Sequence, residues 1–451
     1  MIYRKSKLIT IILIIILSTV SLGLIVAGSI AKLNQKESSA ATTITSIRNL
    51  GDLEEFRDSV NAGNNYSGLT VRLYADIDMQ NDKWTEPISG FKGTFEGNGY
   101  VIKNYSGQSG LFSELSGEGT VVQNLNVVAN RANQGIARNI SRKAVIQNCS
   151  MFGTITAIGS YTGGIVGMMD ASGLPMPKHG RVLACQNFAS ISGGSSDHIG
   201  GIVGAEKESS SYDAYISGCI NFGSVSGNSC VGGIIGYYSS TNLAIANCIN
   251  LGQITGTEYF GGIVGRNHAN TGSMYSCYNA STSGVKSAGR GWLYGGESTD
   301  FTNSNFYCVT VTENDLRDYP NDSSKWNSDY ASFSSSSWTI DYDINVGWPV
   351  LSTSLIDVTV NAEPRECGNS ESFKMLMGTS VTSYGNVIRC NNILRYTPTP
   401  SKGDNWVAVF TGFSGVPSGA QYSDFTITAN FTKEYNDCTV TIKVDQDSVN
   451  Y

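Results

Sequence analysis

Few side chains are candidates for catalysis or metal binding, and the three histidines are the first to consider. His179, His198 and His268 all lie next to glycine-bearing or polar stretches that are typical of loops. A zinc site would need at least two of them close together, with a third, acidic ligand. No zinc-protease helix motif of the form HExxH occurs. We therefore interpret all three as solvated surface histidines.

The second candidate is a group of carboxylates between residues 76 and 82. Leu69–Asp78 alternates apolar and polar residues and predicts a strand, so Asp76 and Asp78 share one face, and Asp82 follows. A carboxylate pair can serve glycoside hydrolysis or bind calcium. No second acidic cluster recurs downstream, which favours an edge-strand or turn role. Since GxSxG, P-loop and dinucleotide motifs are also absent, we predict no catalytic, cofactor-binding or metal residues.

Four of the ten cysteines recur at regular spacing. Cys185, Cys219, Cys248 and Cys277 are separated by 34, 29 and 29 residues, and each is followed two positions later by asparagine. Two residues apart on a strand means one shared face. Thiol ligands or disulfides are one interpretation. We favour a column of buried, reduced cysteines beside an asparagine ladder, because in-register side chains point the same way and cannot easily reach the disulfide dihedral.

The strands that carry these cysteines alternate with a second repeated element. GGIVG occurs at Gly163–Gly167, Gly200–Gly204 and Gly261–Gly265, and GGIIG occurs at Gly232–Gly236. Each unit offers two short strands and is too small to bury a face alone, so stacking must create the core. The glycines permit positive φ or close approach of neighbouring coils. We therefore predict an all-β fold with a parallel β-solenoid over residues 110–300.

The flanking sequence divides into further segments. Residues 49–109 form an N-terminal cap that includes a short amphipathic helix, Gly51–Ala62. Residues 301–355 form a C-terminal cap, in which the aromatic stretch Trp338–Leu351 would cover the last coil. Residues 356–435 alternate apolar and polar residues and predict a small β domain, within which Cys367 and Cys390 could pair. Residues 436–451 resemble the start of a truncated further repeat.

The N-terminus sets the compartment. Arg4, Lys5 and Lys7 precede the 24 uncharged residues Leu8–Ala31, which is enough to span a bilayer and places the rest of the chain outside. Residues 1–31 are thus a signal anchor or, alternatively, a cleaved signal peptide, and 32–48 are a stalk. A net charge of −7 argues against nucleic acid, which needs a basic face.

These motifs resemble known bacterial surface modules. The GGIVG and NCIN-like elements, the lead-in Ala75–Leu115 and the ending NVGWPVL resemble bacterial GLUG-motif repeats and their flanks, including those in the non-catalytic part of some large surface peptidases. Tyr396–Gly415 and FTITANFT resemble an InlB B-type bacterial repeat. The resemblance covers most of the chain from about residue 50 and implies an extracellular, Gram-positive-style surface protein. It brings no catalytic residue with it.

The expected function follows from these observations. We predict a non-catalytic, adhesin-like binding or scaffold protein, anchored in the membrane or secreted, whose partner is a glycan or a matrix or surface protein. The alternative is a carbohydrate-active enzyme, a polysaccharide lyase or hydrolase, on a face of the β-helix. A groove with two carboxylates, or with Lys or Arg beside Asp on adjacent coils, would favour the enzyme.

Overall fold

The computed structural model describes residues 43–80, 84–170, 180–207, 214–239, 243–268, 273–280, 308–310, 325, 333, 337–345, 348–384, 386–391 and 393–435. Ile44–Tyr451 forms one compact unit. The predicted anchor Leu8–Ala31, most of the stalk, the insertions after each GGIVG element and the segment 436–451 lie outside the described residues. In the described part, no helix is both long and apolar enough to cross a membrane.

The N-terminal helix closes the first coil of the solenoid. Helix α1, Leu50–Asn61, begins at Asn49, whose side chain accepts a hydrogen bond from the backbone N–H of Asp52 at 3.0 Å. Its buried residues include Leu53, Phe56 and Val60, which share one face. Phe56 packs on the rings of Tyr66, Phe91 and Phe95 at centroid distances of 5.1, 5.5 and 5.8 Å. The predicted helix is confirmed.

The rest of the solenoid consists of parallel strands, which we number in chain order. Nine of the described strands form one sheet, in the order β1 (Ser46–Ile47), β2 (Thr70–Leu73), β5 (Thr94–Glu96), β8 (Val121–Gln123), β11 (Val145–Gln147), β15 (Arg181–Leu183), β20 (Ala214–Ser217), β25 (Leu243–Ala246) and β30 (Ser273–Tyr275). Seven form a second sheet, namely β4 (Ile88–Ser89), β7 (Phe112–Ser116), β10 (Ala137–Ser141), β14 (Val166–Asp170), β19 (Val203–Lys207), β24 (Ile235–Tyr238) and β29 (Val264–Asn267). The predicted all-β solenoid is confirmed.

Two further parallel sheets complete the coils. The twelve-stranded sheet contains β3 (Ile77–Asp78), β6 (Val101–Tyr105), β9 (Asn126–Ala132), β12 (Ser150–Thr156), β16 (Gln186–Asn187), β17 (Ser190–Ser192), β21 (Ile220–Asn221), β22 (Val225–Ser226), β26 (Ile249–Asn250), β27 (Ile254–Thr255), β31 (Cys277–Asn279) and β32 (Cys308–Thr310). The four-stranded sheet contains β13 (Thr162–Gly163), β18 (Ile199–Gly200), β23 (Ser229–Gly232) and β28 (Glu258–Gly261).

The repeat residues line the interior in columns. The isoleucines that follow the two glycines of the GGIVG and GGIIG elements are fully buried, namely Ile165, Ile202, Ile234 and Ile263. On the opposite wall, asparagine side chains bond from coil to coil: Asn187 donates to Asn221, Asn221 to Asn250 and Asn250 to Asn279, each at 2.8 Å. Each buried amide is thus satisfied, as burial of polar groups requires.

The second glycine of each repeat is required for close approach. A Cβ on Gly233 would overlap the Gly262 carbonyl oxygen of the next coil and lie 2.6 Å from Oδ1 of Asn250. Gly233 does not have a positive φ. Left-handed backbone near these elements is adopted instead by residues such as Tyr161, His198, Cys230 and Tyr259, which precede the first glycine by two positions. Gly233 is therefore needed for the close approach of neighbouring coils and not for a positive φ.

The C-terminal β domain contains two sheets. One has the order β36 (Glu371–Leu376), β35 (Leu355–Glu363), β41 (Phe425–Tyr435) and β40 (Trp406–Ser414), with β35 and β41 parallel and the other pairs antiparallel. The other is antiparallel, with the order β37 (Val381–Tyr384), β38 (Val387–Cys390) and β39 (Ile393–Tyr396). Short 3₁₀ turns span Ser352–Ser354 and Arg365–Cys367.

A strap of residues 337–345 and 348–354 leads from the solenoid to this domain. It contains β33 (Trp338–Thr339), helix α2 (Tyr342–Asn345) and β34 (Val350–Leu351), with β33 and β34 antiparallel. Trp338, Trp348 and Leu351 pack in one cluster with outward residues of the twelve-stranded sheet, including Ile220 and Ile249. The aromatic stretch predicted to cover the last coil therefore lies along the side of the solenoid. Its apolar residues pack on the side of the solenoid because the outward face of these coils is itself apolar.

Buried polar side chains fix the strap and the domain on the solenoid. The Gln186 amide donates to Oγ of Ser354 at 2.6 Å and accepts from the backbone N–H of Leu351 at 3.2 Å. The Asn126 amide donates to the Thr353 carbonyl at 2.7 Å. These bonds join residues far apart in sequence, so they orient the C-terminal domain on the twelve-stranded sheet.

Candidate binding cleft

The floor of the cleft is a ladder of aromatic side chains on the outside of the twelve-stranded sheet. Phe188 and Phe222 each follow a ladder asparagine, and alternation along a strand turns the asparagine inward and the phenylalanine outward. Phe152 precedes them in the same column. The ring centroids of Phe152 and Phe188 are 4.9 Å apart and those of Phe188 and Phe222 are 4.4 Å apart, with planes within 2°. We call these three residues the phenylalanine ladder.

The opposite wall comes from the C-terminal domain. The turn after β36 places Gly378, at φ +77°, against the ladder: a Cβ there would lie 3.3 Å from a ring carbon of Phe152. Backbone bonds tie this turn to a second loop, since Gly378 N–H donates to the Gln421 carbonyl at 2.7 Å and Gln421 N–H donates to Thr379 at 3.0 Å. The second loop presents Tyr422, whose ring meets Phe152 edge-on at 5.9 Å.

The floor and this wall enclose a cavity of about 580 Å³, within the range of small-ligand sites, roughly 300–1,000 Å³. Its lining residues combine apolar rings with amides and hydroxyls: Phe152, Gly153, Phe188, Phe222, Asn345, Leu376, Met377, Gly378, Thr379, Ser380, Thr382, Asn391 and Tyr422. None of these lining residues is charged at neutral pH. Burial raises the pKa of Tyr422, which keeps its hydroxyl protonated.

One residue of the lining has a buried side-chain donor without a hydrogen-bond partner. Nδ2 of Asn345, at the end of α2, is buried and has no hydrogen-bond partner among the described residues. Leaving such a donor unpaired costs about 1–3 kcal/mol. Helix α2 is held in place, because the Arg395 guanidinium donates to the Asp343 carbonyl at 2.6 Å. Asn345 therefore lines the cavity from a helix that is held in place, while its Nδ2 is shielded from solvent and unpaired.

A second groove, of about 410 Å³, lies on the outside of the seven-stranded sheet and is charged. Its lining includes Lys92, Glu114, Arg142 and Asp170. By strand register, Glu114 and Asp170 are two coils and two positions apart, roughly 12 Å between their backbones at ~4.8 Å per coil and ~3.3 Å per residue. Sequence reasoning found neither groove, because both depend on which residues face outward from neighbouring coils.

The structure corrects the interpretation of His198. The residue is half-buried rather than solvated: its ring stacks on Tyr161 at a centroid distance of 4.9 Å and meets Tyr237 edge-on at 4.8 Å. Burial lowers the pKa of His198; Arg266 lowers it further, against an opposing effect of Asp197. His268 is exposed, and His179 lies outside the described residues. The described residues contain no cluster of three potential metal ligands.

The two aspartates predicted on one strand face have separate structural roles. Asp76 accepts from the Val101 backbone N–H at 3.1 Å and from the Ser423 hydroxyl of the C-terminal domain. Asp78 accepts at 2.8 Å from both the Asn104 amide and the Gln80 backbone, and these hydrogen bonds, the first above all, lower its pKa. Asp82 lies outside the described part. Asp78 thus has the expected role in a turn. Asp76 joins the solenoid to the C-terminal domain.

The repeat cysteines form the predicted column. Cys185, Cys219, Cys248 and Cys277 are fully buried free thiols, and Cys149 extends the column by one coil. Burial raises the pKa of Cys185 and of Cys248, so these side chains are neutral. Cys367 and Cys390 are also buried and free, so the pairing that the sequence left open is not formed in the structure.

Fold and cleft together define a β-solenoid protein with a C-terminal β domain packed on its flank. No family model matches the chain, and no curated protein matches it. Among solved structures, it is similar to a Bacteroides ovatus chain described as a "putative immunoglobulin A1 protease", at 21% identity and a TM-score of 0.46, over 68% of this chain and 92% of that one. A similarity of this degree carries no functional argument.

Proposed function

We propose that this chain is a non-catalytic bacterial surface protein that binds an extracellular ligand in the cleft between the phenylalanine ladder and the C-terminal domain. In this proposal the solenoid is a rigid scaffold, and the N-terminal segment Leu8–Ala31 holds it at the membrane. The resemblance of the repeats to GLUG motifs, and of residues 356–435 to an InlB B-type repeat, supports the surface location.

The observation that carries the proposal is the uncharged lining of the cleft. Acid–base or nucleophilic chemistry at neutral pH needs a titrating or activated group, and the described lining offers aromatic rings, aliphatic side chains, amides and hydroxyls, with no residue charged at that pH. Such a lining suits recognition, in which apolar surface supplies affinity and a few polar groups fix orientation.

The test uses two neighbouring residues of edge strand β37. Thr382 lines the cleft and the adjacent Ser383 does not, although both are exposed. Successive side chains on a strand point to opposite faces. Thr382→Arg should therefore block the cleft, while Ser383→Arg serves as a matched control for added charge.

The assay is retention of full-length protein on arrays of glycans and extracellular matrix proteins. Thr382→Arg should weaken retention by roughly tenfold or more, with wild-type retention for Ser383→Arg. Equal retention of the two variants on every bound probe would place binding elsewhere.

The charged groove favours a second candidate, the carbohydrate-active enzyme. It brings Glu114 and Asp170 to one surface together with Lys92 and Arg142. Incubation with polysaccharides separates the two functions. New reducing ends or unsaturated products, lost in Glu114→Gln or Asp170→Asn, would establish the enzyme. Unaltered polysaccharide, with binding that depends on Thr382, would support the binding protein.

A further inference from the structure

We propose that the cleft binds a neutral oligosaccharide, with Asn345 donating a hydrogen bond to a sugar oxygen. This inference rests on the proposed function of the cleft as a binding site. It adds the class of ligand and the residue that selects it.

Charge is the first argument. A sulfated or uronic-acid glycan would bring its anionic groups into a cavity whose described lining residues include no cation to pair with them. Removing an unpaired charge from water is strongly unfavourable. A neutral ligand avoids this cost.

The arrangement of polar and apolar groups is the second argument. The half-buried rings of Phe188 and Phe222 form one side of the cavity, and Thr379, Ser380 and Asn391 bring hydroxyl and amide groups to the other. A pyranose ring has C–H groups on its faces and hydroxyls at its edge. Its C–H groups can therefore contact the rings while its hydroxyls bond to the opposite wall.

The unpaired donor of Asn345 also favours a sugar ligand. An N–H donor requires an acceptor, and a sugar hydroxyl or ring oxygen is one. A turn of the Asn345 side chain toward the cavity would bring Nδ2, which has no partner among the described residues, to a bound acceptor and relieve an unfavourable buried group. The amide would then contribute more to binding than to folding.

This difference gives a sharp test in the variant Asn345→Leu, which keeps a similar shape and removes the donor. Its affinity for the oligosaccharide should fall by roughly tenfold. Its melting temperature should not fall, because an unpaired buried amide has been removed. A structural role would produce the reverse, a lower melting temperature with unchanged affinity.

The experiment is calorimetric titration of the full-length protein with short neutral, uronate-containing and sulfated oligosaccharides and with extended apolar peptides. The expected result is binding of neutral oligosaccharides that does not change with salt, since no charge pair is formed, and that is weakened by Asn345→Leu and Thr382→Arg. Ser383→Arg should bind as the wild type does.

Two results would overturn the inference in distinguishable ways. Binding of charged glycans or peptides that is still blocked by Thr382→Arg would reject the neutral oligosaccharide and keep the cleft as a binding site. Binding insensitive to Thr382→Arg, or no binding across the panel, would reject the cleft itself.

Discussion

Replacing Gly233 with valine should destabilise the whole solenoid. The first side-chain carbon would already overlap the Gly262 carbonyl oxygen and press on the Asn250 amide. Because Asn250 accepts from Asn221 and donates to Asn279, its displacement disrupts two buried hydrogen bonds of the ladder. The damage therefore spreads to the coils on both sides.

The magnitude follows from these contacts. Overpacking a closely packed position costs about 1–3 kcal/mol, and each lost hydrogen bond adds ~0.5–1.5 kcal/mol. With two such hydrogen bonds, the sum is roughly 2–6 kcal/mol. At about 2–4 °C per kcal/mol for a domain of this size, the melting temperature should fall by roughly 10 °C. Since the first carbon causes the overlap, Gly233→Ala should show most of the loss.

The matched control is another glycine of the solenoid. Gly159 is exposed, and a Cβ there would have no neighbour within 4 Å. Gly159→Val should therefore change stability by no more than about 0.5 kcal/mol. Differential scanning calorimetry of the variants provides the measurement. Equal melting temperatures for Gly233→Val and wild type would refute the assignment of close inter-coil packing to this glycine.

Three further predictions concern other parts of the chain. Alkylation of the unfolded, unreduced protein should modify all four repeat cysteines, and disulfide-linked peptides among them would contradict the thiol column. Because the folded pKa of His198 lies below its unfolded value of about 6.5, its contribution to stability is complete above that pH and falls as the pH decreases below it. From neutral pH to pH ~5, the melting temperature should therefore fall more for wild type than for His198→Tyr. The variant has at this position the residue type found at Tyr161 and Tyr259 in other repeats. Parallel pH profiles of the two melting temperatures would show that His198 has no such effect. Protease treatment of intact cells should remove the ectodomain if Leu8–Ala31 is an anchor, whereas full-length protein found only in the medium with an N-terminus beyond Ala31 would show a cleaved signal.

The interior of the solenoid could be predicted because it is local and repeated. Cys219 and Asn221 are two positions apart, and strand geometry alone assigns them one face. The spacing of the repeats then places each strand in register with its equivalent in the next coil. Equivalent cysteines and asparagines therefore stack in columns.

The cleft could not be predicted because its two walls are distant in sequence. Phe222 and Thr382 line one cavity because the strap and the C-terminal domain are bound to the side of the solenoid, with hydrogen bonds to Gln186, Asn126 and Asp76. One signal was present: an aromatic residue follows the asparagine in the Cys185 and Cys219 repeats, on the opposite strand face. An outward aromatic column in a solenoid indicates a covered or binding surface.

Hydrogen–deuterium exchange of the full-length protein, with and without a bound oligosaccharide, locates the ligand without any mutation. With the ligand in the cleft, binding should slow exchange in peptides covering the turn Met377–Thr382 and the strand segment around Phe222. Exchange around Glu114 and Asp170 should not change. Slower exchange at the charged groove, with no change in the cleft, would show that the ligand binds outside the cleft.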